Sequence, residues 1–352
     1  MKRAGLVVNV GGSHPERAEL ETLGPSYLRT IVYRFEDLER FLDSMPDDIR
    51  MIALLNSETE GVGHDYGGWE PTVEEFVRRF HNRVHAVECA NEWDLLGLPA
   101  DLAAWLVETA HRPLRDAGML CLLGSVAGPD WQGQLSAAMA RVDPRWVDGV
   151  SFHPYGRRAG GIPENWGFGE LDEGVWRTHE LSGKPVYLTE FGIKIGDARG
   201  EDGQAVYVRR AFAALERLPA DVLGAACYFA WSDSIGAPSE RGEEAFGLRR
   251  EDGSARSAWD AFRTAARGTV PLPPAPEPPP ITPEVPVMAT KYLVGAGVLD
   301  KMAERGDEPA TDEIYHAGAR QNAQYSETFG KSGTRYVWVR ETNSTLLFSP
   351  TT

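Results

Sequence analysis

The feature that most constrains this chain is an alternation. A short apolar run and a helix-sized stretch follow one another eight times along the first 268 residues. The runs are "GLVVNV" (5–10), "YLRTIVY" (27–33), "RMIALLN" (50–56), "VHAVECA" (84–90), "MLCLLGS" (119–125), "DGVSFH" (148–153), "PVYLTE" (185–190) and "GAACYFA" (224–230). Between them, 35–45, 100–118, 205–218 and 255–267 carry apolar residues at spacings of three and four, the pattern of helices with one buried face. Eight strands, each followed by a helix or room for one, imply a closed (β/α)8 TIM barrel, which takes about 250 residues, or roughly 31 per unit. An open doubly wound sheet is the alternative. It would place a glycine-rich phosphate loop after the first strand, and "NVGGSHPE" has two glycines without the G-x-G-x-x-G spacing.

The alternation ends at "PLPPAPEPPPITPEVP" (271–286), where nine of sixteen residues are proline. Proline fixes φ and removes the backbone donor, so this piece reads as an extended, semi-rigid spacer. Three parts follow: a barrel over 1–268, a Pro-rich linker over 269–286 and a small α+β module over 287–352. The module opens on a helix-like stretch, 290–306, and continues with strand-like pieces at 325–330 and 334–349.

Composition narrows the partners. The net charge is −16, from 36 Lys and Arg against 52 Asp and Glu. That balance excludes a phosphate-tracking nucleic-acid binder and disfavours an anionic membrane surface. A neutral polymer such as a polysaccharide is not penalised. Cys89, Cys121 and Cys227 each sit in an apolar run and read as small buried hydrophobes, not a disulfide framework. The first apolar run, about five residues, is too short for a signal-peptide core of roughly 7–15. As written, the chain reads as cytoplasmic, with an extracellular or cell-wall site of action left open.

Chemistry in a β/α barrel sits at the C-terminal ends of the strands. Strand four ends in Asn91-Glu92. By the period of two, Glu88, Ala90 and Glu92 share one face. Strand seven ends in Glu190, 98 residues on, about three β/α units away. Two glutamates across one barrel mouth are what glycoside hydrolysis needs: one donates a proton to the leaving oxygen, and the other attacks the anomeric carbon or activates a water. Their environments must differ, so that one is protonated while the other is ionised.

These residues resemble a known family. "ECANEW" is similar to the strand-four signature of the clan A glycoside hydrolases, in which Asn precedes the acid/base Glu. "YLTEFG" resembles that clan's strand-seven nucleophile, "SFHPYG" its strand-six end and "ACYFAWSD" its strand-eight end. The resemblance spans the barrel and implies a retaining mechanism on a polysaccharide or oligosaccharide. Glu190 would be the nucleophile and Glu92 the acid/base. Asn91 would bind the 2-hydroxyl beside the reacting carbon. Arg29 would support the nucleophile, Tyr155 would hydrogen-bond it, and His153 would line the same subsite. Trp231 would floor the sugar site, and no metal or organic cofactor is implied. "GDEPATDEIY" and the residues after it resemble LGFP-type repeats of cell-wall proteins, which implies contact with a cell-wall glycan.

Other residues have blander readings. Glu88, one layer below the mouth, is expected to pair with Arg29. His81 and His85 lack the H-E-x-x-H pattern of a helical zinc site. Trp105, Trp146 and Trp259 fall in helix-like stretches and are expected in the core. Trp69, Trp93, Trp131, Trp166 and Trp231 follow strands, where aromatic platforms would suit sugar rings; Trp93 is the one beside the acid/base. A carbohydrate-binding barrel without catalysis and a metal-dependent barrel hydrolase are the rival readings.

Overall fold

The computed structural model of this chain describes residues 2–268 apart from 13, 129, 156–167, 199 and 234–244, together with four strands near the C-terminus. The chain divides into two compact units, Met1–Leu272 and Pro273–Thr352.

In the first unit, β1 (Ala4–Val7), β2 (Tyr27–Ile31), β3 (Arg50–Leu55), β4 (Ala86–Cys89), β5 (Leu120–Val126), β6 (Gly149–Phe152), β7 (Val186–Phe191) and β8 (Leu223–Tyr228) form a closed barrel in sequence order. Each strand pairs in parallel with the next. β8 returns to β1 through Ala4↔Ala226, Gly5↔Cys227 and Leu6↔Tyr228. The seam is tight: a Cβ on Gly5 would stand 2.5 Å from Cys227 Sγ, so the position takes no side chain. The strands are apolar because both of their faces are covered, by the barrel interior on one side and by helices on the other.

The helices are α1 (Arg17–Leu23), α2 (Phe35–Ser44), α3 (Trp69–Phe80), α4 (Ala100–Asp116), α5 (Trp131–Met139), α6 (Phe168–Ser182), α7 (Glu201–Glu216) and α8 (Ser257–Arg267). In α2 the buried residues are Phe35, Leu38, Phe41 and Leu42, one face of a helix by their spacing. Burying each such side chain contributes about 1.5–3 kcal/mol, before ordering costs. The short α1 is closed at its start by reciprocal Glu16 and Glu19 bonds and at its end by Gly24 in the left-handed region. Among the described residues, no helix is long and apolar enough to cross a membrane.

The second unit contains a four-stranded antiparallel sheet. Its strands are β9 (Tyr315–Arg320), β10 (Ala323–Phe329), β11 (Arg335–Val339) and β12 (Ser344–Phe348), in the order β12-β11-β10-β9. The expected linker at 269–286 and the expected helix at 290–306 lie outside the described residues.

Candidate active site

Glu92 reaches the barrel mouth by a turn, not by continuation of the strand. β4 stops at Cys89, and Ala90 and Glu92 have φ of 80° and 41°. The expected period of two therefore does not carry Glu92 into the mouth: two left-handed residues flanking Asn91 re-aim it. Such residues cost on the order of 1–2 kcal/mol each and persist only where neighbours hold them. Here β5 does the holding. The Glu92 N–H donates to Ser125 Oγ at 2.8 Å, and the Trp93 N–H to the Ser125 carbonyl at 3.2 Å. Gly124 makes room, since a Cβ there would meet the Cys89 carbonyl oxygen at 2.1 Å. Asp94 accepts from the Ala127 and Gly128 N–H groups, tying the rest of the turn to the end of β5.

Glu190 is aimed by a different device. The β7–β8 register shifts between Leu188 and Phe191. A bulge of this kind breaks the alternation of faces. Both Thr189 and Glu190 consequently turn toward the barrel's polar centre.

Arg29 is the hub of that centre and has no solvent exposure. Its Nε donates to Glu88 Oε2 at 3.0 Å and its Nη2 to Asn91 Oδ1 at 2.9 Å, while Nη1 pairs with Glu190. Burial pulls against its charge most strongly, but the Glu88 and Glu190 carboxylates more than offset this and hold the guanidinium above its ordinary pKa. Tyr155 donates to Glu190 Oε2 at 3.3 Å, and burial followed by the Glu190 charge raises its phenol well above the usual value. His153 lies between the carboxylates: Nδ1 is 3.0 Å from Glu92 Oε1, and Nε2 is 2.9 Å from Thr189 Oγ1. Burial, its largest influence, lowers the imidazole pKa. The charges of Glu190, Glu92 and Glu88 outweigh it, and the net direction is upward.

One donor atom from each of Glu92, His153 and Glu190 falls within 4.8 Å of the other two. Two carboxylate oxygens at that spacing can address one acetal carbon and its leaving oxygen. A cation could also bridge the three groups, though it would share Glu190 with a guanidinium. Glu88 lies directly below, fully buried, paired with Arg29 as expected and accepting the Thr189 hydroxyl at 2.9 Å.

Of the eight residues singled out in the sequence, six meet here: Arg29, Asn91, Glu92, His153, Tyr155 and Glu190. The two tryptophans do not. Trp93 is wholly buried, and its indole N–H donates to the Gly124 carbonyl at 3.0 Å, so it braces the turn and offers no face to a ligand. Trp231 is 3% exposed and is covered by Trp259 at 5.3 Å between ring centroids and by the Arg249 guanidinium at 5.0 Å. Trp69 and Trp131 are also buried; Trp166 lies outside the described residues. Trp105, expected in the core, is 38% exposed, because α4 is turned so that this position faces outward.

Phe229 is an aromatic ring beside Glu190 that the sequence reading did not single out. It shares a cavity with Arg29, Glu190, Asn9, Ile31 and Tyr33, and it meets Tyr155 edge-on at 5.9 Å. Sequence reasoning passed over Phe229 in favour of the larger Trp231 two residues on. It also missed Thr189, whose neighbour Glu190 would ordinarily claim the inward face alone.

Comparison with known proteins follows this geometry. The chain matches no protein-family model and no curated protein. Among solved structures it is similar to an endo-β-1,3-glucanase of family GH128 from Amycolatopsis mediterranei in complex with laminaritriose. The identity is 19% and the TM-score 0.53, covering 75% of this chain and 100% of that one. It is also similar to a β-glucuronidase from Bifidobacterium dentium complexed with coumarin-3-O-glucuronide, at 15% identity and TM-score 0.56, covering 76% and 46%. A β-glucuronidase from an uncultured Clostridium sp. gives 15% identity and TM-score 0.54, covering 76% and 50%. At these identities the likeness is one of fold: an eight-stranded parallel barrel that two kinds of glycoside hydrolase use.

Proposed function

We propose that this chain is a retaining glycoside hydrolase that cleaves β-linked oligosaccharides or polysaccharides by double displacement. The observation that carries the reading is the pair Glu92 and Glu190, with oxygens within 4.8 Å and unlike surroundings. Oxygens no more than 4.8 Å apart suit direct attack by one carboxylate and fall short of the roughly 6.5–9.5 Å that inverting enzymes leave for an intervening water.

In this reading Glu190 attacks the anomeric carbon. Arg29 and Tyr155 hold both of its oxygens in place. Glu92 gives its proton to the departing oxygen as the C–O bond breaks, then takes a proton from the water that releases the sugar from Glu190. Asn91 offers its carbonyl oxygen to Arg29 and would present its amide N–H to a hydroxyl beside the reacting carbon. Phe229 would lie against the ring. The laminaritriose bound by the GH128 glucanase makes β-1,3-glucan the first substrate to try. The C-terminal module enters as a tether to a cell-wall glycan, which would raise the local substrate concentration.

The test is turnover of laminarin oligosaccharides and aryl β-glycosides by wild-type protein and Glu190→Gln, each with and without a strong chelator. Wild type is expected to release reducing ends with retained anomeric configuration, and Glu190→Gln to lose at least about 10³-fold in turnover. A wild-type-like rate in the variant removes the reading. Loss of wild-type activity in chelator would favour the second reading, a metal-assisted hydrolase, which the compact Glu92, His153 and Glu190 cluster also suits. No hydrolysis of any glycan would leave a carbohydrate-binding barrel.

A further inference from the structure

The polar chain beneath the two carboxylates fixes where hydrogens sit. Arg29 occupies Glu88 Oε2, and Thr189 lies 2.9 Å from Glu88 Oε1. A carboxylate accepts and does not donate, so the Thr189 hydroxyl hydrogen points at Glu88. Its lone pairs are then what Thr189 offers to His153 Nε2, also at 2.9 Å. Nε2 must therefore carry a hydrogen. The other ring nitrogen, Nδ1, faces Glu92 Oε1 at 3.0 Å, and that contact needs one hydrogen, on either atom.

We propose that Thr189, oriented by Glu88, locks His153 with its hydrogen on Nε2, so that Nδ1 and Glu92 share a single proton and the imidazole is its second seat during the reaction. This rests on the glycosidase reading. Thr189 and Glu88 are positioning residues that act through His153. A neutral imidazole of this tautomer presents a lone pair to Glu92 and keeps Glu92 a proton donor. The opposite tautomer would donate an N–H to Glu92, favour its carboxylate form and weaken it as an acid.

The proton accounting closes. In the first step the shared proton passes to the leaving oxygen. The C–O electron pair goes to that oxygen as Glu190 bonds to the anomeric carbon. Nδ1 and Glu92 Oε1 are then both bare, with lone pairs opposed at 3.0 Å in the resting geometry. That repulsion makes the pair a stronger base. In the second step it takes a proton from water, whose oxygen bonds to the anomeric carbon as the Glu190–carbon bond breaks. One proton leaves and one returns.

The groups that face His153 come from several elements. β4 brings Glu88, with Oε1 3.7 Å from Nε2, and the turn after β4 brings Glu92; β7 brings Glu190, 3.9 Å from Nδ1. Tyr155 meets the ring edge-on at 6.3 Å. Arg29 of β2 lies beyond the carboxylates, and the buried Cys227 thiol of β8, raised by burial, sits in its field.

Ring 15N NMR of the wild-type enzyme is the direct test. Nε2 is expected to stay protonated across the pH range while only Nδ1 titrates. A lone pair on Nε2 overturns the proposal whatever the enzyme's activity. The kinetic test is Thr189→Val, which puts a methyl where the hydroxyl bridged Nε2 and Glu88 and takes no hydrogen bond from the Arg29 or Glu190 side chain. Its kcat/KM for unactivated glucan is expected to fall at least about tenfold more than for a dinitrophenyl glycoside, whose leaving group needs little proton help. The basic limb of its pH profile should move down by about one unit. Thr189→Ser should restore both. Equal losses on the two substrates, an unmoved pH profile or failure of Ser to rescue would overturn the proposal. A protonated Nε2 in an enzyme that hydrolyses no glycan would support the hydrogen assignment and sink the glycosidase reading instead.

Discussion

Replacing Arg29 by Met removes one cation from beneath two carboxylates while keeping most of the side chain's bulk. Arg29 and Glu88 have no exposure, and Glu190 keeps 12% of its side chain in contact with solvent. At an effective dielectric of about 20, a pair of unit charges about 4 Å apart is worth roughly 4 kcal/mol. Part of this was spent on burying the ions, so the intact pair adds little net stability. Breaking it is different, because Glu88 is left charged, dry and unpaired, at a cost of about 3–5 kcal/mol. Glu190 adds less, since water can reach it. For a domain of this size, Met1–Leu272, each kcal/mol moves Tm by about 2–4 °C. Arg29→Met should therefore lower Tm by roughly 6–20 °C in calorimetry at neutral pH. Adding Glu88→Gln should recover part of the loss, because the orphaned charge goes with it. Arg29→Lys should fall between, since one ammonium cannot serve Glu88, Glu190 and Asn91 together. A Tm for Arg29→Met within about 2 °C of wild type would refute the view of Arg29 as the buried counter-ion. So would a double variant less stable than the single one.

Three further outcomes follow from the same contacts. The folded-state pKa of His153 is raised, so its share of stability is fully present below the unfolded value of about 6.5 and is lost as pH rises through the folded value. The stability gap between wild type and His153→Gln should be widest in acid and narrow steadily above about pH 6.5, as read by urea titration at several pH values; a gap that widens with pH contradicts it. Gly124→Ala would drive a methyl into the Cys89 carbonyl and should cost about 1–3 kcal/mol or more, with activity falling further as the Glu92 turn shifts; unfolding and turnover measured together decide it. Phe229→Ala should raise KM for oligosaccharides about tenfold, while Trp231→Phe leaves KM within about twofold, and steady-state kinetics on both variants separate the ring that lines the cavity from the one that does not.

The barrel was legible because its signal is repeated: each apolar run is buried on both faces, and eight of them at barrel spacing leave little choice of closure. The site was legible where it depends on strand ends. Arg29, His153 and Glu190 lie on or just after β2, β6 and β7, where counting along the chain finds them. It was not legible where the backbone departs from regularity. Ala90 and Glu92 in left-handed conformation and the bulge before Phe191 redirect side chains, and nothing in "ECANEW" or "LTEFG" announces either. The aromatic assignment failed for a related reason. A tryptophan after a strand is as useful for bracing a turn as for facing a ligand, and Trp93 braces the very turn that carries Glu92. Residue type alone could not separate the two uses, whereas the indole bond to Gly124 does.

The unlike surroundings of the two glutamates also argue for their roles. Glu190 has Arg29 on one oxygen and the Tyr155 hydroxyl on the other. Both of these groups are donors, an arrangement that suits an attacking carboxylate. Glu92 is more exposed, with 26% of its side chain in contact with solvent against 12% for Glu190, and its neighbour His153 can take or give a hydrogen. A proton placed on Glu92 has a seat at either end of a 3.0 Å contact. Exchanging the roles would ask the cation-held carboxylate to handle protons and the more exposed one to serve as nucleophile. The guanidinium and phenol donors on Glu190 oppose that exchange.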